Sequence, residues 1–370
     1  MARTTVVAME NGKRRPRATE LVKLAALSGR AVGDFLLPEV ATDHVDFAAL
    51  FRPAPNGRST VNAARDEDIR QFEQLCRWYV ELESLAGASL ARRYPEPYDI
   101  ADTPAERAAL AVATAERNRL GLGDGPIGDL WDLLETDVGL RAFAIPMRDR
   151  RIAGMFVYSE AFGGCIAVNA NHPEDRRRWS GVQEYGRFLT MRHRAEVTIL
   201  SATKRPKERE RFADAFARHF LMPIAGLTRR IDAIRRANET PFTLGDLWQL
   251  ANLYGVSVQA MTWRLEELRL LSIGTWDRLT EFGVQPSQAK RLLGLTASES
   301  GTPHLPTRYQ VLAVQSYLGG GLSEGQLAER LLADRVSVRE LIHQMTTVEQ
   351  PTEDGIWAQA TLDLSQPIMA

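Results

Sequence analysis

Apolar residues return every three or four positions in residues 18–30, where Leu21, Val22, Leu24, Ala25 and Leu27 share a helical stripe that Gly29 closes. Pro53, Pro55, Asn56, Gly57 and Ser59 break the pattern and mark residues 53–63 as a linker. A longer stripe follows, with Ile69, Phe72, Leu75, Cys76, Tyr79, Val80 and Leu82 on one side of an amphipathic helix. Further helices are expected around 104–119 and 126–136. Stripes at this spacing read as core faces. Between 139 and 170 the period shortens. Leu140, Phe143 and Ile145, then Ile152, Met155, Phe156 and Val157, then Cys165, Ile166, Ala167 and Val168 form three strand-like runs. Pro146 with Asp149, and Gly163 with Gly164, separate them, which predicts a small meander sheet. Helical patterning resumes near 174 and runs to the C-terminus, apart from a strand expected near 356–363. The pattern shows no internal repeat.

Composition narrows this picture only a little. The 370 residues suffice for two or three domains, and 44% apolar with 25% charged residues is ordinary for a soluble globular protein. The formal net charge of −1 leaves any nucleic-acid contact to a local basic patch. Cys76 and Cys165 lie far apart in sequence and form no CxxC. This suits a reducing compartment and excludes a zinc ribbon. No apolar run reaches the roughly 18–20 residues of a membrane span, and the N-terminus lacks a signal-peptide core, so the expected location is the cytoplasm.

The segment from Ala167 to Pro223 carries the chemistry. It reads Val168-Asn169, then Arg176-Arg177-Arg178-Trp179-Ser180-Gly181-Val182-Gln183-Glu184-Tyr185-Gly186-Arg187. Glu210-Arg211-Phe212-Ala213-Asp214-Ala215-Phe216-Ala217 and Phe220-Leu221-Met222-Pro223 follow. This resembles the ImmA/IrrE-type zinc metallopeptidases, which show a strand ending in VN, then RxRFTxAHExGH, then ExxAxxFAxxLLMP. The resemblance implies an α+β fold, a mostly helical zincin-like metallopeptidase core with a small three-stranded sheet, flanked by helical domains. In HExxH, positions i and i+4 face one way, so two imidazoles hold one Zn²⁺ while the intervening Glu activates water. By position, the resemblance implies Gln183, Arg187 and Glu210 as ligands and Glu184 as general base. Both histidines are replaced.

No metal is therefore expected. Gln183 offers only a neutral amide oxygen, and Arg187 has no lone pair to donate. A dication about 4 Å from a guanidinium would meet roughly 8 kcal/mol of repulsion at an effective dielectric near 20. Arg187 is expected instead to pair with Glu210, Glu184 or both. His172, His193 and His219 read as surface or packing histidines, and Glu184 as an idle base.

At the N-terminus, Arg3-Thr4-Thr5-Val6-Val7-Ala8-Met9-Glu10-Asn11-Gly12 followed by Lys13-Arg14-Arg15-Pro16 resembles the end of the recognition helix of XRE/Cro-type repressors. That resemblance implies two further helices upstream of Met1, so residues 1–52 are expected to be a partial helix-turn-helix remnant. Arg3, Thr4, Thr5, Lys13, Arg14 and Arg15 are its candidate DNA contacts. Residues 64–240 are read as the metallopeptidase-like domain. Residues 241–300 are a helix-turn-helix-like module, with Gly255 at its turn and Gln259, Thr262 and Arg264 on the second helix. Residues 301–370 are a helical extension in which Ser323 is an N-cap.

The favoured function is a catalytically inactive peptidase relative that regulates or binds a partner in transcriptional, stress or mobile-element control. An active zinc endopeptidase that cleaves a repressor is one alternative, with zinc as cofactor. A DNA-binding repressor or antitoxin with a peptidase-like sensor is the other. Expected partners are a repressor, a toxin or antitoxin, or a second copy in a homodimer, with DNA as a further candidate and no membrane.

Overall fold

The strand-like runs form β1 (Arg141–Ile145), β2 (Ile152–Ser159) and β3 (Gly163–Asn169) in a computed structural model of the chain. The structure describes residues 13–28, 63–199, 208–237, 242–283, 303–351 and 357–362, with positions 5, 6, 9, 32, 47 and 51. Two compact units divide the chain, Met1–His44 and Val45–Ala370. Within the first, α1 (Ala18–Ser28) buries Leu21 and Ala25. Of the expected linker, only Ala63 is described, as the first residue of α2 (Ala63–Leu85).

The sheet has four strands in the order β1-β3-β2-β4, not the three-stranded meander that the pattern predicts. β3 lies between β1 and β2, parallel to the first and antiparallel to the second. The physical reason is burial. All of β1 and β3 is buried, so alternate residues enter two different cores and neither strand shows the alternation that would mark its place in the sheet. Ala142, Ala144, Ile166 and Val168 belong to one core, and Phe143, Ile145, Cys165 and Ala167 to the other. The fourth strand, β4 (Glu196–Ile199), pairs antiparallel with β2. Four residues are too few to show a period against the helical pattern around them.

Each core has its own helices. The first is covered by α3 (Ala105–Arg119), by α4 (Leu130–Asp132) with its π-helical continuation Leu133–Val138, by α5 (Glu174–Met191) and by α6 (Glu208–Leu221). Leu227 and Ile231 of α7 (Ile224–Ala237), α8 (Leu244–Leu253), α9 (Val258–Glu267) and Trp276 of α10 (Thr275–Glu281) join the same core. The second core is closed by α2, α11 (Thr307–Leu318), α12 (Glu324–Arg330) and α13 (Arg335–Thr346). Beyond α13, β5 (Thr347–Pro351) and β6 (Trp357–Thr361) form a hairpin where one strand was expected.

The expected boundaries near 240 and 300 do not separate cores. Residues 244–281 complete the first apolar layer and residues 305–338 the second, because neither segment buries its apolar stripe alone. Buried polar groups tie the second layer to the sheet. Arg141 Nη2 of β1 donates to Glu83 Oε2 of α2 at 2.7 Å, and Arg308 Nη1 of α11 donates to Glu83 Oε1 at 2.9 Å. The Tyr79 hydroxyl donates to Glu135, whose carboxyl is pushed above its usual range by burial. Ser323 does cap α12, in a capping box with Gln326.

Candidate functional site

The first turn of α5 carries Glu174 and Asp175 at the positive end of its dipole, and its middle turns pass over the sheet. Two glycines make the approach close. A Cβ on Gly186 would lie 2.6 Å from Phe216 Cδ1 on α6, so the two helices could not sit as near with any larger residue there. A Cβ on Gly154 of β2 would lie 2.9 Å from Glu184 Cγ and 3.1 Å from the Ala167 carbonyl oxygen. The Glu184 side chain therefore rests directly on the β2 backbone, with no exposure at all.

Arg187 lies one turn along α5 and is 3% exposed. Its Nη1 donates to Glu184 Oε1 at 2.8 Å, forming an ion pair buried on both sides. Gln183 faces α6. Its Nε2 donates to Asp214 Oδ1 at 3.3 Å, and the Trp179 indole N–H donates to the same oxygen at 3.1 Å. Asp214 lies four residues after Glu210 on the same helix face, and the sequence reading missed it. The available signal was that i+4 spacing, which aims a second carboxylate at the Gln183 turn. Glu210 itself, in the first turn of α6, is exposed.

The donor set at these positions does not match zinc. An amide turned toward a carboxylate, a buried guanidinium and an exposed glutamate supply no imidazole or thiolate. Among the described residues, no three His, Cys, Asp or Glu side chains cluster closely enough to hold a metal ion.

The histidines are placed elsewhere. His172 Nε2 is 2.9 Å from the Arg150 carbonyl oxygen, and His193 is exposed beside the Tyr158 ring at 5.3 Å. His219 is buried between Glu106 Oε1 at 2.9 Å and Arg264 Nη2 at 3.0 Å. Burial, then the Arg264 charge, depress its pKa below the usual imidazole value, against the opposing pull of Glu106.

Arg264 is only 1% exposed and also donates to the Met222 carbonyl oxygen and to Glu267 Oε2. Thr262 is fully buried as well. Two of the three residues singled out on the second helix of this module, α9, are thus internal, and only Gln259 keeps some exposure. Among the N-terminal candidates, Arg3 and Thr4 lie outside the described residues, and Thr5 is partly buried. Lys13 and Arg15 are exposed, while Arg14 Nη2 donates to Glu20 Oε1 at 2.8 Å. The Arg17 backbone N–H and then Arg14 hold the Glu20 carboxyl below its usual range.

The sheet, α5 and α6 stand in the order that the VN, HExxH-like and ExxA-like segments lead one to expect. Residues 135–266 match the model of a peptidase family described as the IrrE N-terminal-like domain. That stretch is similar to an ImmA/IrrE-type domain. The match covers about a third of the chain and runs from the π-helical turn after α4 to the end of α9, taking in the sheet and both site helices. No curated protein matches the chain. No described helix is long and apolar enough to cross a membrane.

Proposed function

We propose that the chain is a non-catalytic relative of the ImmA/IrrE-type peptidases that acts by binding a partner. In this reading the former metal centre is a structural ion pair. One observation carries it: Arg187 Nη1 stands 2.8 Å from Glu184 Oε1, with both side chains buried. The residue at the general-base position is committed to a guanidinium, and the residue at a ligand position is a cation that repels Zn²⁺. The Gln183–Asp214 contact supports the same reading, since the other ligand position serves to join α5 to α6. A protein partner (a repressor, a toxin or antitoxin, or a second copy) is favoured over DNA. The burial of Arg264 and Thr262 removes two polar groups that α9 would offer a groove.

Zinc analysis tests the proposal. Dialysed against zinc and then buffer, the native chain is expected to retain far less than one equivalent and to leave repressor substrates uncut. Gln183→His with Arg187→His is expected to take up about one equivalent, because it restores imidazoles at i and i+4. Stoichiometric zinc in the native chain, with cleavage of a repressor that a chelator abolishes, would overturn it.

A further inference from the structure

A cavity of about 270 Å³ lies between α7, the end of α8 and the loop that follows α3. Small-molecule sites fall at about 300–1,000 Å³, so this one suits an occupant no larger than a single substituted ring. Pro126 on the loop, Leu253 and Tyr254 at the end of α8, and Arg230 and Ala233 on α7 line it.

The loop wall is held in place from two sides. A Cβ on Gly226 of α7 would lie 1.7 Å from the Asp124 carbonyl oxygen, so the loop rests directly on the helix backbone. Behind it, Arg117 of α3 is only 4% exposed. Its Nε donates to the Gly123 carbonyl oxygen at 2.8 Å and its Nη2 to that of Gly125. Arg178 Nη1 donates to the Gly128 carbonyl oxygen at 2.8 Å. A wall set before anything binds lowers the ordering cost of binding.

The charges at the cavity are unevenly committed. Arg229 pairs with Asp124 at the rim, so those two charges offset each other. Arg230 is exposed and makes no ion pair among the described residues. Tyr254 is 2% exposed, and its hydroxyl lies 3.3 Å from the point where a Gly226 Cβ would stand. Burial pushes its pKa up, so near neutral pH it keeps its proton and offers an O–H donor. Arg230, Arg117 and Arg229 all act on this hydroxyl, against Asp124. With Arg117 buried behind the wall, less of that positive field is lost to salt than on an open surface.

We propose that this cavity binds a small organic acid, its carboxylate held by the Arg230 guanidinium and the Tyr254 hydroxyl and its apolar body against Pro126, Ala233 and Leu253. A guanidinium suits a carboxylate, and a neutral O–H beside it adds a second donor. Leu253 is 39% exposed and Ala233 is exposed, so an apolar body laid there removes both from water. None of these residues takes part in the Glu184–Arg187 pair, so binding here and the loss of the metal site can fail separately.

Titration of the full chain with sodium benzoate, followed by saturation-transfer NMR on the ligand, tests it. Benzyl alcohol keeps the ring without the acid, and acetate keeps the acid without the ring. Benzoate is expected to saturate with a Kd between roughly 0.1 and 5 mM, and each of the other two to bind about fivefold or more weakly. Arg230→Met, an exposed position where the fold loses no partner, is expected to weaken benzoate about tenfold. Tyr254→Phe keeps the ring, removes only the hydroxyl, and is expected to weaken it about threefold. Failure of benzoate to saturate below about 20 mM, benzyl alcohol or acetate binding as well as benzoate, or a Kd unchanged in either variant would overturn the proposal.

Discussion

Replacing Arg187 by methionine keeps much of the side chain's volume but removes the guanidinium that donates to Glu184 Oε1 at 2.8 Å. The carboxylate is left at a position with 0% exposure, pressed on the β2 backbone at Gly154. Removing one partner of a buried ion pair costs about 3–5 kcal/mol, most of it the penalty of a buried charge left with less compensation. The loss should appear as a lower urea midpoint followed by near-ultraviolet circular dichroism. With a slope of about 3 kcal/mol/M, a 3 kcal/mol loss moves the midpoint by roughly 1 M. Adding Glu184→Gln removes the under-compensated charge and should restore at least about 1 kcal/mol, measured as coupling in a double-mutant cycle. If Arg187→Met shifts the midpoint by less than about 0.3 M, or the two substitutions simply add, the buried pair does not contribute to stability.

Two further outcomes follow from the same geometry. Gly154→Ala places a Cβ 2.9 Å from Glu184 Cγ and 3.1 Å from the Ala167 carbonyl oxygen, and should cost about 1–3 kcal/mol in thermal unfolding. Part of that loss should return when Glu184 is shortened to alanine in the same chain, since the Glu184 contacts are then gone and the Ala167 carbonyl oxygen remains. For His219, burial and Arg264 hold the folded pKa below 6.5, so the unfolded chain takes up the proton first as the solution is acidified. Its contribution is complete above about pH 6.5 and is lost as the pH falls toward the depressed folded value, lowering the urea midpoint between pH 7 and pH 5. His219→Asn should flatten that slope, and an unchanged slope would assign it to other groups.

How much was legible in advance depends on the range of the interaction. The strands β1 to β3, the stripe of α2 and the order of the site segments could be read because each is a local periodicity or a short motif. The replacement of both histidines at 183 and 187 was equally plain, as residue type needs no coordinates. Sheet order was not legible. When both faces of a strand are buried, the alternation that would orient it disappears, and an apolar run does not say which neighbour it pairs with. β4 was hidden by its length.

By itself the sequence determined β1 to β3 and the helices on either side of them, the likeness to one peptidase family and the chemistry absent from the ligand positions. Only the tertiary structure decided what those residues do instead. Glu184, three positions away on the same helix, receives Arg187; Gln183 reaches across to Asp214; and Arg264 turns inward to His219 and Glu267. It also decided that residues 244–281 and 305–338 complete two cores on opposite faces of one sheet. The reason is common to all of these. A side chain's partner is chosen by distance after packing, and contacts such as Glu83 with Arg308, or Trp131 with His304, join residues that no local pattern links.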